Sequence, residues 1–180
     1  APGRTPRVPV SYGRQRRRES SSLSAAEHLE RLARFVPGVA GYLDRERARE
    51  TDKRVRVRLA EELTAVKGAL ERDKRALIDA RDLTPLTALD GLASKLDRLG
   101  NTVEYAARGY RPVFDDVKLT RDRLDRLYTF DLGLFDEVTA LAARAGAVHA
   151  ALGDRGHLAE AVAAIDEALD RFGATFASRQ

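Results

Sequence analysis

Apolar positions recur along the chain at steps of three and four, and almost never at steps of two. From Ser24, whose spacing to Glu27 is that of a capping box, Ala25, Leu29, Leu32 and Val36 form one stripe with Phe35 beside it and His28, Arg31 and Arg34 at its flanks. Pro37-Gly38 breaks that element, and Gly41 loosens the elbow. The next stripe is Val55, Leu59, Leu63, Val66, Leu70 and Leu77, with one polar skip. Three further seams keep heptad spacing. They are Leu89 to Tyr110, then Leu124 to Leu152 by way of Asp131, then Leu158 to Phe176. These periods predict helices over about 24–36, 43–81, 85–108, 120–152 and 156–178. Thr84 is expected to cap the third, with Pro85 at its first position.

One stretch, TDKRVRVRLAEEL at 51–63, also alternates like a strand. A strand there would have to stop without a turn signal, and no Gly or Pro occurs from 42 to 67. The helix reading needs no stop. Glu50 with Arg54, Asp52 with Arg56 and Glu71 with Arg75 then fall four apart, as on a solvated helix face.

Isolated helices are marginal in water, so the seams must be buried together. Short connections make consecutive helices antiparallel neighbours. The expected fold is all-α: an antiparallel four-helix bundle over 24–180, with a short N-terminal amphipathic helix. Two coiled-coil hairpins completed by partner chains are the alternative.

Composition sharpens this. Charged residues make up 33% of the chain, above the usual quarter or so, and aromatics only 6%. The absence of cysteine removes disulfides, thiolate metal sites and cysteine nucleophiles. Residues 1–23 hold six arginines against Glu19, a net of +5, while the whole chain is +4. The remainder is therefore near −1, which argues against a basic nucleic-acid-binding body. Residues 1–23, rich in Pro, Gly, Ser and Arg, read as a disordered tail. Its Arg14, Arg16, Arg17 and Arg18, together with Arg31 and Arg34, are the candidate contacts to an anionic surface. No apolar run is long enough to span a bilayer, and no signal-peptide core follows the basic start. A cytoplasmic location, peripheral to the membrane in one reading, is expected, with a signal segment removed ahead of Ala1 as the open exception to it.

Little else resembles chemistry. None of His28, His149 and His157 follows a glutamate at the Glu-x-x-His spacing of bundle metal sites. No phosphate loop, dinucleotide fingerprint or nucleophile elbow is present. No cofactor, metal or catalytic residue is expected. Asp131 stands out, because it occupies a seam position inside the apolar run LYTFDLGLF at 127–135. A buried carboxylate needs a partner or a proton, and Arg108, Tyr105 and Tyr110 are the candidates. Asp131 with Tyr110, Phe114, Tyr128, Phe130 and Phe135 forms the candidate partner or register site. The breadth of the run also suits an oligomer surface.

Two blocks, PGVAGYLDRERARETDKRVR (37–56) and GYRPVFDDVKLTRDRLDRLYTFDLGLFDEV (109–138), together carry a resemblance. The chain over about 28–176 resembles an uncharacterised family of bacterial helical-bundle proteins with a Pro-Gly-x-x-Gly-Tyr elbow and a Leu-Tyr-x-Phe-Asp helix. The resemblance implies no activity and no catalytic residue. It marks Gly41, Tyr42, Asp52, Lys53, Gly109, Tyr110, Phe114, Asp115, Lys118, Tyr128, Phe130 and Asp131 as important for fold or function. In architecture alone, a short amphipathic helix ahead of a long charged hairpin is similar to the phage-shock membrane-stress proteins.

The functional expectation is a non-enzymatic scaffold or adaptor that works by protein contact, self-association included. The alternatives are a peripheral membrane protein using 24–36 and the basic tail on anionic lipid, and nucleic-acid binding through that tail.

Overall fold

The computed structural model describes residues 25–39, 45–106 and 121–178. The tail 1–23 with its arginines, the capping serine at 24, the elbow at 41–42 and the segment holding Arg108, Tyr110 and Phe114 lie outside the described residues. Those described form five helices and no strand: α1 Ala25–Phe35, α2 Arg45–Asp79, α3 Leu86–Tyr105, α4 Arg121–Ala150 and α5 Arg155–Ser178. The strand-like stretch is helix throughout. Val55, Leu59 and Leu63 are fully buried, while Val57 is left exposed.

The helix ends follow local chemistry. At the end of α2, Arg81 takes a left-handed φ of 59°. Asp82 N then donates to Leu77 O, and Arg81 N to Ile78 O, closing the last turn. Thr84 does not cap α3; Pro85 stands at the cap position, and no side chain bonds the free amides. The cap of α5 is Asp154, whose Oδ1 accepts from the amides of Gly156 and His157 at 2.9 and 3.1 Å.

Side-chain bridges fix how the helices lie. Lys67 meets Asp97 at 2.6 Å, and Lys74 meets Asp90, so α2 and α3 are antiparallel. Glu137 and Thr175, 2.9 Å apart, place α4 antiparallel to α5. Asp73 with His149 near both C-termini makes α2 and α4 parallel. Arg155 with Asp82, and Lys95 with Asp166 and Asp170, make α3 and α5 parallel. The four helices form a square in the order α2, α3, α5, α4. The two short-linked hairpins behave as their connections require. The longer link, 107–120, joins opposite corners, so α3 and α4 are not the neighbours that sequence order suggests. Both hairpins belong to one chain and share one core.

The helices are unequal in length, which divides the body into two storeys. Arg56 of α2 reaches the carbonyl of Glu104 at the end of α3, so the first turns of α2 project beyond α3. Likewise α4 begins well beyond the end of α5. Around this projecting part of α4 lies α1, with Phe35 stacked on Phe135 at 4.8 Å and His28 facing Asp125 at 3.7 Å. Leu32 and Val36 are buried there. A fully buried Leu or Val contributes roughly 1.5–3 kcal/mol, so this short helix is held by its apolar edge.

Candidate functional site

A groove opens between α3 and α5. At one end the two helices press together, where a Cβ added to Gly173 would sit 3.1 Å from Leu99. Toward their N-termini they part, leaving a groove of about 580 Å³. Leu92, Leu158 and Val162 line it with Ala88, Gly91, Ala159 and Ala163, and Thr84, Arg155 and Asp166 supply polar groups. Leu83, immediately before it in the chain, is 61% exposed. Alanine at i and i+4 on α5 and the Ala88/Gly91 pair on α3 are what keep the walls low. Between groove and closed end, Lys95 bridges Asp166 at 2.5 Å and Asp170 at 2.8 Å. Burial opposes its charge, but hydrogen bonds to Asp166 and then Asp170 outweigh this and raise its pKa. This wall is therefore pinned by charge.

The residues nominated from sequence fall elsewhere. Tyr128, Asp131 and Phe135 are buried in the lower storey, and Phe130 is half-buried against the same core. They are therefore not an exposed partner surface in this fold. The breadth of the 127–135 run has a local cause: α4 is covered by α1 on one side and α2 on another. Tyr105 is 59% exposed and is not a buried partner of Asp131. Arg31 and Arg34 are exposed on α1, Arg34 paired with Glu30, while the apolar edge of that helix is turned into the protein.

Asp131 is one of several polar groups buried on α1, α2 and α4. Thr51, Asp52, Arg56 and Asp131 are buried, as is His28. Thr51, Asp52, Tyr128 and Asp131 all have partners. Arg56 donates from Nε to Asp52 at 2.8 Å and from Nη1 to the Glu104 carbonyl at 3.1 Å. The Asp52–Arg56 pair is thus internal, against the expectation of a solvated face. Glu50–Arg54 does lie on the surface, and Glu71 pairs with Lys74 instead of Arg75. Sequence spacing gives the pair but not the face.

Two histidine–carboxylate pairs complete the polar inventory. His149 Nδ1 is 2.7 Å from Asp73 Oδ1, and His157 Nδ1 is 2.8 Å from Asp154 Oδ2. Asp73 is the polar skip on the α2 seam; it is 3% exposed, and its Oδ2 has no hydrogen bond. Among the described residues no three His, Asp or Glu side chains are grouped to hold a metal ion, and no helix is long and apolar enough to cross a membrane. Compared with protein families, curated proteins and solved structures, the chain matches none.

Proposed function

We propose that this chain is a helical adaptor that works by protein–protein contact, receiving one amphipathic helix of a partner in the groove between α3 and α5. The observation that carries the reading is the groove itself. It is apolar, open along its length, and walled by Ala and Gly that let a third helix approach closely. An apolar helix face laid into such a groove is a recurring mode of peptide recognition. Thr84, Arg155 and Asp166 supply a polar rim of both charge signs, suited to orienting the incoming helix. The reading is non-enzymatic because the charged groups lining the groove, Arg155 and Asp166, are held in ion pairs with Asp82 and Lys95.

The test is photo-crosslinking in the cell of origin from a reactive side chain placed at Ala159. The expected result is a discrete protein adduct, lost when Ala163→Arg fills the groove and not formed from the same probe at Arg75 on α2. Both groove positions are exposed, so neither change should unfold the bundle. Equal labelling at Ala159 and Arg75, or an adduct that survives Ala163→Arg, would remove the groove from consideration. Light scattering on the purified chain then separates a second copy from a different partner.

A further inference from the structure

His149 occupies the last turn of α4 with 73% of its side chain exposed, whereas the Asp73 side chain that meets it is only 4% exposed. A buried carboxylate on an otherwise apolar seam is costly to keep, so its contact with an exposed ring calls for a reason. The carboxylate oxygen accepts, so Nδ1 carries the ring proton. The lone pair is left on Nε2, on the side away from Asp73. A carboxylate partner on one ring nitrogen fixes both the tautomer and the orientation of the other. A helical side chain leans over the turn before it. There Gly146 offers no side chain and open space.

We propose that His149 is a phosphoryl-acceptor site, taking a phosphoryl group onto Nε2 from a donor of the phosphoramidate class. The Nε2 lone pair forms a new N–P bond, and the P–N bond of the donor breaks. The donor nitrogen is protonated before attack, so the amine leaves neutral with that electron pair, as ammonia when the donor is the phosphoramidate zwitterion itself. Nothing is oxidised or reduced. The ring keeps its Nδ1 proton and becomes a phosphorylated imidazolium. Its positive charge falls beside Asp73 and the C-terminal carbonyls of α4, while the phosphoryl oxygens, which both of these would repel, are carried on Nε2 on the side away from Asp73. Asp73 is a positioning residue in this scheme and does not touch the donor. The site does not rest on the adaptor reading.

The chain carries its own control. His157 makes the same Nδ1 contact at 2.8 Å, but with a carboxylate that is 58% exposed and also caps α5 through the amides of Gly156 and His157. The full-length chain is incubated with phosphoramidate, and each phosphohistidine is assigned by ³¹P NMR and by mass spectrometry under alkaline conditions. His149 should be phosphorylated faster than His157, by about 10-fold if the partner acts as strongly as it does at the low end for metal-ligating histidines, and on Nε2 alone. His149→Gln should abolish that product and leave the His157 product unchanged. Asp73→Asn, checked for unchanged helicity, should bring His149 down to the rate of His157 and let the Nδ1 isomer appear. Equal rates at the two histidines of the unaltered chain, or an Nδ1 product at His149, would overturn the proposal without any variant.

Discussion

Arg56 closes the end of α3 from the side: its Nη1 donates to the backbone carbonyl of Glu104 at 3.1 Å while its Nε is held by Asp52 at 2.8 Å. The carbonyls of a last helical turn lack partners within the helix, and here a guanidinium from a neighbouring helix supplies one. Arg56→Ala should cost up to about 3–5 kcal/mol, because it removes a cationic partner from the buried Asp52. Arg56→Ala combined with Asp52→Ala should recover part of that loss. Urea unfolding of the two variants measures both. A cost like that of an exposed pair, under about 1 kcal/mol, would mean the pair is solvated after all.

Phe35 and Phe135 are stacked with an interplanar angle of 10°, and this contact should decide whether α1 stays down. Phe35→Ala should cost less than Phe135→Ala, since Phe35 is half-buried and Phe135 is 1% exposed. For the latter a loss of about 3–5 kcal/mol is expected. Liposome flotation links this to the membrane reading. With the apolar edge of α1 engaged, binding to anionic vesicles should rise on Phe35→Ala if α1 is the lipid contact. Binding equal to that of the unaltered chain would leave only the arginines to act.

The first turn of α5 should give stability a pH dependence. Backbone donation from His157, then its ring, lowers the pKa of Asp154; hydrogen bonding to Asp154, then the charges of Asp154 and Glu160, raises that of His157. A lowered carboxylate contributes stability above its unfolded value, near 3.9, that is lost as pH falls through the folded one. A raised histidine contributes below its unfolded value, near 6.5, and loses this as pH rises through the folded one. The gap in Tm between the unaltered chain and His157→Gln should therefore be widest between about pH 4 and 6.5. A gap that does not change from pH 4 to 9 would contradict it.

Backbone substitutions should separate three sites. Arg81 holds a left-handed φ at an exposed helix end, a conformation costing about 1–2 kcal/mol outside glycine. Arg81→Gly should accordingly stabilise. Gly100→Ala has open space for its methyl group and should gain about 0.5–1 kcal/mol from the helix interior. Gly173→Ala should gain less, because its Cβ meets Leu99 at 3.1 Å. Chemical denaturation ranks the three. A Gly173→Ala gain equal to that of Gly100→Ala would show that α3 and α5 do not press together there.

The helices were legible because their seams were: Leu59, Leu96, Leu141 and Leu169 all fall where periodicity put them and are all buried. Asp131 was legible for the same reason, as a break in a strong pattern. Asp73 broke its seam too, but a single skip in a charged helix looks like noise until His149 is seen across from it. Arg56 was hidden differently. An i,i+4 ion pair has the same spacing on any face, and only the end of α3 makes this one internal. The groove could be suspected from Ala159 and Ala163, yet small residues at helical spacing more often mark close packing than a gap. Which helices became neighbours depended on the link 107–120, whose length fits more than one corner of the square.

The staggered helix ends carry a dynamic consequence. The upper storey closes a ring of four helices, whereas the lower one rests on α1 and on the first turns of α2 and α4. Opening the lower storey would break the Phe35–Phe135 and Arg56–Glu104 contacts but leave the Leu63–Leu77 core of α2 enclosed. Cooperative units of this kind open with their own free energies, up to the global value. Amide protons of 25–35 and 121–133 should therefore exchange with solvent well ahead of those in 59–77, as one group. The protein would then respond to mild destabilisation by shedding its base while keeping the groove, and a partner held there would stay bound.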